Sequence, residues 1–169
     1  KSGERIRKEE ERPGSVETKR SRPRVAIIID DLGYDPRLAA AFMRLGLPLT
    51  LSILPRTPFG GAIGREATKK GLEVLLHQPM EPADYAEKDP GPAALFVSMP
   101  EGEIIRVLNE NLSMIPGAKG VNNHMGSCFT KDPEKMRVFM TALKRRGLFF
   151  IDSKTTKESV AIEEAKRLG

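Results

Sequence analysis

The chain has 169 residues, 39% hydrophobic and 30% charged, which suits one globular domain with a core of its own. No apolar run approaches the roughly 18–20 residues needed to cross a bilayer, and the single cysteine, Cys128, excludes an internal disulfide framework. The formal charge of +5 sits mostly in residues 1–24, where nine Lys and Arg meet five Glu; the rest holds nineteen against eighteen, which argues against a nucleic-acid face.

Residues 1–23 read as a charged linker, because only Ile6 and Val16 offer aliphatic anchors there. The chain opens on Lys1 rather than Met, as expected of a fragment or processed product. The globular part is expected over 24–169. It begins with Val25-Ala26-Ile27-Ile28-Ile29, five apolar residues of which four are β-branched, read as a strand buried on both faces of a parallel sheet. Asp30 and Asp31 end that run, and Gly33 lets the backbone turn. Two adjacent carboxylates repel each other and are costly to desolvate, a difficulty that a nearby cation removes. In the alternative, one Asp caps the next helix and the other points to water.

Asp35-Pro36 then supplies an N-cap and a first-turn proline for a helix reaching about residue 45. A strand over 47–54, a helix over about 61–70 and a strand over 72–76 follow, the last running directly into His77. Residues 78–97 form a long Pro-rich loop, a kind that tends to be functional or mobile. Ser98-Met99-Pro100-Glu101 has the spacing of a capping box and opens a helix to about residue 114. Residues 119–122 make a short strand leading into Asn123-His124. Asp132-Pro133 caps a helix to 146, a strand over 148–151 ends at Asp152-Ser153, and a helix over about 157–168 closes the chain. Strand and helix alternate five times with short turns, which predicts an α/β fold with a parallel sheet.

The polar residues carry the functional reading. Asp30 and Asp31, His77, Asn122-Asn123-His124 and Asp152 each follow a strand. In parallel α/β folds the C-terminal strand ends share one edge, where ligands bind. A lone histidine is ordinarily a satisfied structural or surface residue. Here both histidines of the chain occupy strand ends beside a pair of Asp. One carboxylate with two imidazoles suits Zn²⁺ or another first-row divalent ion, with positions left for water.

Four segments, Ile29-Asp30-Asp31-Leu32-Gly33, Leu76-His77-Gln78-Pro79-Met80-Glu81-Pro82, Gly120-Val121-Asn122-Asn123-His124-Met125-Gly126-Ser127 and Phe150-Ile151-Asp152-Ser153, closely resemble the divergent polysaccharide deacetylase family (YibQ-type), within the NodB-like group. The resemblance covers residues 24–169. It implies a distorted, incomplete (β/α) barrel whose pattern continues past Gly169, so a barrel truncated at its C-terminal end is expected. It further implies that Asp30 is the base, that Asp31 binds metal with His77 and His124, and that the substrate is an acetylated glycan of the bacterial cell envelope or periplasm. Unlike the wider group, this chain takes its two histidines from different strand ends and has no third to act as general acid.

The expected chemistry follows from these roles. A divalent ion, zinc first, acidifies water and polarises an acyl oxygen, Asp30 takes the proton, and amides near Asn122 and Asn123 stabilise the oxyanion. Asp152 orients a histidine or contacts substrate; equally, it caps its own turn with Ser153. Ser127 has no paired base, and Cys128 reads as a small buried residue. Two other classes stand beside the deacetylase. One is a deacetylase-like carbohydrate-binding module without turnover. The other is a Mg²⁺-dependent phosphoryl-transfer enzyme, for which Gly60-Gly61-Ala62-Ile63-Gly64 lacks the Lys-Ser/Thr ending of a phosphate loop.

Overall fold

In the computed structural model, which describes residues 24–169, the five apolar runs become strands β1 (Ile27–Leu32), β2 (Leu49–Ile53), β3 (Glu73–Met80), β4 (Ala118–Met125) and β5 (Phe149–Ile151). They form one sheet in the order β1-β2-β3-β4-β5, with every neighbouring pair parallel. The expected linker over 1–23 lies outside the described residues. Helices α1 (Pro36–Met43), α2 (Gly60–Lys69), α3 (Glu101–Met114), α4 (Pro133–Lys144) and α5 (Ala161–Leu168) complete the α/β alternation.

Connections of one hand between sequential neighbours place every crossover helix on the same side of a parallel sheet. The core shows this. Leu49, Leu51, Ile53, Val74, Leu76 and Val121 from one face of the sheet cluster with Ala39, Ile63, Leu108, Phe139 and Ala161 from the helices. The strand order is that of a singly wound barrel wall, and among the described residues the sheet is open, with β1 and β5 at its edges.

The edge position of β1 corrects one expectation. The strand is expected to be buried on both faces, but Ile27 is 46% exposed, Asp30 and Asp31 are exposed, and Ile28 and Ile29 are half-buried. Two other strands run further than the sequence suggests. β3 and β4 pair as far as His77↔Asn122, Pro79↔His124 and Met80↔Met125, so both histidines lie within strands rather than after them. Polar side chains on one face of a strand hide its length from a reading based on apolar runs.

Helix starts follow the chemistry of their caps. Asp35 accepts from Arg37 N at 2.8 Å, and Asp132 from Glu134 N at 2.9 Å and Lys135 N at 3.0 Å, each just before a first-turn proline. The capping box expected at Ser98 does not form. Pro100, extended at ψ 159°, takes the N-cap position of α3, which leaves Ser98 exposed and two residues too early to reach the first turn. The last helix is also shorter than expected. Residues before Ala161 are held in a turn by Ser159 Oγ donating to Asp152 at 2.7 Å and Val160 N donating to Thr130 O at 2.9 Å.

These caps give a direct comparison by urea denaturation. Asp132→Ala is expected to lower stability by about 1 kcal/mol, whereas Ser98→Ala is expected to change it by less than about 0.5 kcal/mol. Equal losses would restore the capping box at Ser98.

Candidate metal centre

Successive side chains on a strand point to opposite faces, so a regular β1 could not bring both Asp30 and Asp31 to one site. The strand solves this with a bulge. Between the pairs Ile29↔Leu51 and Leu32↔Ile53, β1 gains one residue over β2. Asp31 takes up the extra length in the left-handed region, at φ 58°. Gly33 follows at φ 139°, against the Thr57 side chain, where no Cβ would fit.

The register places Ile28, Asp30, Ser52, Leu75, His77, Asn122 and His124 on the sheet face opposite the helices. Asp31 Oδ1 lies 3.2 Å from His77 Nε2 and 2.9 Å from His124 Nδ1, and the two ring nitrogens are 3.3 Å apart. Three lone-pair-bearing atoms at such distances require protons or a cation between them. Ligand bonds of about 2.0–2.1 Å give ligand–ligand edges of about 3.3 Å in a tetrahedron and 2.9 Å in an octahedron, so this N₂O triangle fits one divalent ion with its remaining positions open. His77 is buried, His124 is partly covered, and the Asp31 side chain is 63% exposed, so the open positions face solvent.

Asn122 connects the triangle to Asp30. Its Oδ1 accepts from Ser52 Oγ at 2.5 Å and lies 2.9 Å from His77 Nδ1, while its Nδ2 donates to Asp30 Oδ1 at 2.8 Å. Burial pushes the His77 imidazole below its ordinary pKa, against the opposing pull of the Asp30 charge, which favours the neutral, ligating form. Asp30 stands outside the triangle, 3.8 Å from His77 Nδ1. Ser52 is absent from the sequence-based set. Its signal was a small hydroxyl inside an otherwise largely apolar strand that also holds Thr50; burial makes such a group costly without a partner.

Other candidates are not drawn to the triangle. Asn123 points the other way, its Oδ1 accepting from Ser153 N at 2.8 Å and its Nδ2 donating to Met125 O at 2.7 Å. Asp152 caps its own turn, accepting from Lys154 N and Ser159 Oγ, and lies beyond ion-pair reach of either histidine. The side-chain amides of Asn122 and Asn123 each already donate one hydrogen bond, to Asp30 and to Met125 O, and the backbone amides near them are the other expected source of oxyanion stabilisation. Ser127 Oγ accepts from Ala83 N at 2.9 Å. Cys128 is half-buried rather than buried, and burial pushes its thiol pKa up, away from a nucleophilic thiolate.

The Pro-rich segment is strapped down. Leu95 N donates to Pro79 O and Val97 N to Glu81 Oε2, while Gln78 Nε2 and Asn111 Nδ2 both donate to Ala93 O. So held, Asp89, Pro90 and Pro92 line a cleft of about 290 Å³ together with Tyr34, Asp31 and His124. The Tyr34 ring is well exposed.

The sequence profile of the family described as Divergent polysaccharide deacetylase matches residues 27–169. An uncharacterized protein of Haemophilus influenzae is 36% identical over 146 residues, covering 86% of this chain and 51% of that protein. The uncharacterized protein YibQ of Escherichia coli is 33% identical over 146 residues, covering 86% of this chain and 45% of that protein. The chain thus spans about half the length of these curated relatives. The crystal structure of an uncharacterized protein from Agrobacterium tumefaciens superimposes with a TM-score of 0.76 at 28% identity, covering 85% of this chain and 58% of that one.

Two measurements on ion-free protein check this geometry. Asp31→Asn, which tolerates the left-handed backbone, is expected to leave stability within about 0.5 kcal/mol. Asp31→Val is expected to cost about 1–3 kcal/mol, since a β-branched residue is strained there; equal effects would place no strain at the bulge. For pH, a buried neutral His77 means that the unfolded chain binds protons first on acidification. Stability is then flat above about pH 6.5 and falls below it, with a shallower fall in His77→Gln. Stability that rises on acidification would mean that the carboxylates hold His77 charged.

Proposed function

The chain belongs to the divergent polysaccharide deacetylase family, and on that premise we propose that it is a metal-dependent hydrolase removing acyl groups from a carbohydrate. The observation that carries this reading is the Asp31–His77–His124 triangle, whose Asp31 and His124 members line the cleft. Two imidazoles and one carboxylate favour zinc among the common divalent ions. Bound there, such an ion supplies Lewis acidity that acidifies water and polarises an acyl oxygen.

The chain's own residues would do the remaining work. Asp30, outside the triangle but tied to it by Asn122, is the group placed to take a proton from the attacking water. Asn122 keeps that carboxylate and the His77 ring in fixed relation. Tyr34 and the proline wall offer an apolar seat for the face of a pyranose ring, and the cleft has room for about one sugar with its acyl group. The family description supports a glycan as the substrate, and an envelope or periplasmic glycan is the one proposed.

A second reading, a carbohydrate-binding module that holds the ion without turnover, is favoured by one observation. Both histidines of the chain stand in the triangle, so neither is left to protonate a departing amine.

Elemental analysis and acetate release separate these readings. About one zinc per chain is expected, and it should be lost in His77→Ala and His124→Ala. Acetate release from acetylated oligosaccharides should fall by about 10²–10⁴-fold in Asp30→Asn, assayed at saturating Zn²⁺. Retained zinc and glycan binding without acetate release would establish the binding module. A wild-type chain that takes up no ion even with added Zn²⁺ would sink the hydrolase.

A further inference from the structure

We propose that Ser52, Asn122 and Asp30 form a relay that sets the tautomer of His77, and that Ser52 is its anchoring, positioning residue. An imidazole presents a lone pair on one nitrogen only when its proton sits on the other. His77 must offer Nε2 to the triangle, so its proton has to stay on Nδ1. The one side chain hydrogen-bonded to Nδ1 is Asn122, at 2.9 Å through Oδ1.

An amide can flip, and a flipped Asn122 would turn its Nδ2 donor toward Nδ1. The proton would then move to Nε2 and remove the lone pair from the triangle. Asp30 sets the sense of the amide. Its carboxylate accepts only, so the Nδ2 donor faces it, at 2.8 Å, and Oδ1 is left for His77. Ser52 supplies the anchor. Its hydroxyl is fully buried on β2 and, among the described residues, has one hydrogen-bond partner, Asn122 Oδ1 at 2.5 Å, a bond that holds the amide in place. The three-residue relay spans β1, β2 and β4 and reaches His77 on β3. Its members are separated by up to 92 positions in sequence.

Asp30 thereby acquires a role distinct from proton transfer. Its negative charge keeps Nε2 free, so the proposed base and the ion site are coupled through one amide. Asn at position 30 could either donate or accept, which would let the Asn122 amide turn. The importance of the tautomer rests on the metal-site reading above; the tautomer itself does not.

The test combines the ¹⁵N chemical shifts of the His77 ring in ion-free protein with Zn²⁺ affinity by chelator competition. The variants are Ser52→Ala, Ser52→Thr and Asp30→Asn. Wild type should show the Nδ1–H tautomer alone. Ser52→Ala and Asp30→Asn should show a mixture, with Zn²⁺ bound about 10–100-fold more weakly. Ser52→Thr, which keeps a hydroxyl on a strand position that suits β-branching, should restore both readouts. A single Nδ1–H tautomer in both Ser52→Ala and Asp30→Asn would overturn the relay. So would weaker Zn²⁺ binding in Ser52→Ala with the tautomer unchanged, since that loss would reflect packing. If wild type binds no Zn²⁺, the metal reading fails while the ring shifts still decide the relay.

Discussion

A strand alternates its side chains between two faces, and this site needs two consecutive carboxylates on one side. That constraint shapes the C-terminal edge of the sheet. β1 meets it with one extra residue and a left-handed Asp31, a conformation that non-glycine residues adopt at a cost of about 1–3 kcal/mol. The other non-glycine residues with positive φ, Arg56, Met125 and Lys154, lie at or just after the ends of β2, β4 and β5. Among the described residues, the positive-φ strain is thus gathered at or after the C-terminal ends of strands.

The two faces of the sheet divide the labour. Helices seal one with an apolar cluster, which supplies the stability that lets the other stay polar. On that second face, hydroxyl, amide, imidazole and carboxylate groups are joined in one hydrogen-bonded set, so desolvation there is compensated rather than suffered. The Asp35–Arg37 and Glu66–Lys70 pairs lie exposed, where solvent screens them and they contribute little. Burial of a charge alone does not mark a site either. Glu164 is buried, yet Arg137 and Arg167 neutralise it at the α4–α5 contact, away from the cleft.

Much of this was legible in the sequence. Strand-helix alternation gave the α/β architecture, Asp35-Pro36 and Asp132-Pro133 marked two helix starts, and polar residues at the ends of apolar runs pointed to the Asp30-Asp31 pair, His77 and His124 together, with the choice of Asp31 as ligand implied by the family resemblance. What was not legible depends on neighbours that sequence does not reveal. The edge position of β1 follows from strand order, and the true length of β3 and β4 from ladder partners. Asn123 and Asp152 looked like site residues because they are polar and follow strands; their direction is set by pleat and turn geometry, which sends both to backbone groups. Ser52 was hidden for the opposite reason, since a small hydroxyl in a mostly apolar run, beside Thr50, carries no motif.

The central claim is that Asp31, His77 and His124 together hold one divalent ion. The most direct test is X-ray absorption on the zinc-loaded chain. The account predicts a first shell of nitrogen and oxygen only, at about 2.0–2.2 Å, with the outer-shell scattering of two imidazoles. A sulfur neighbour near 2.3 Å, which would have to come from Cys128 or a methionine, or a shell with no imidazole scattering, would contradict it.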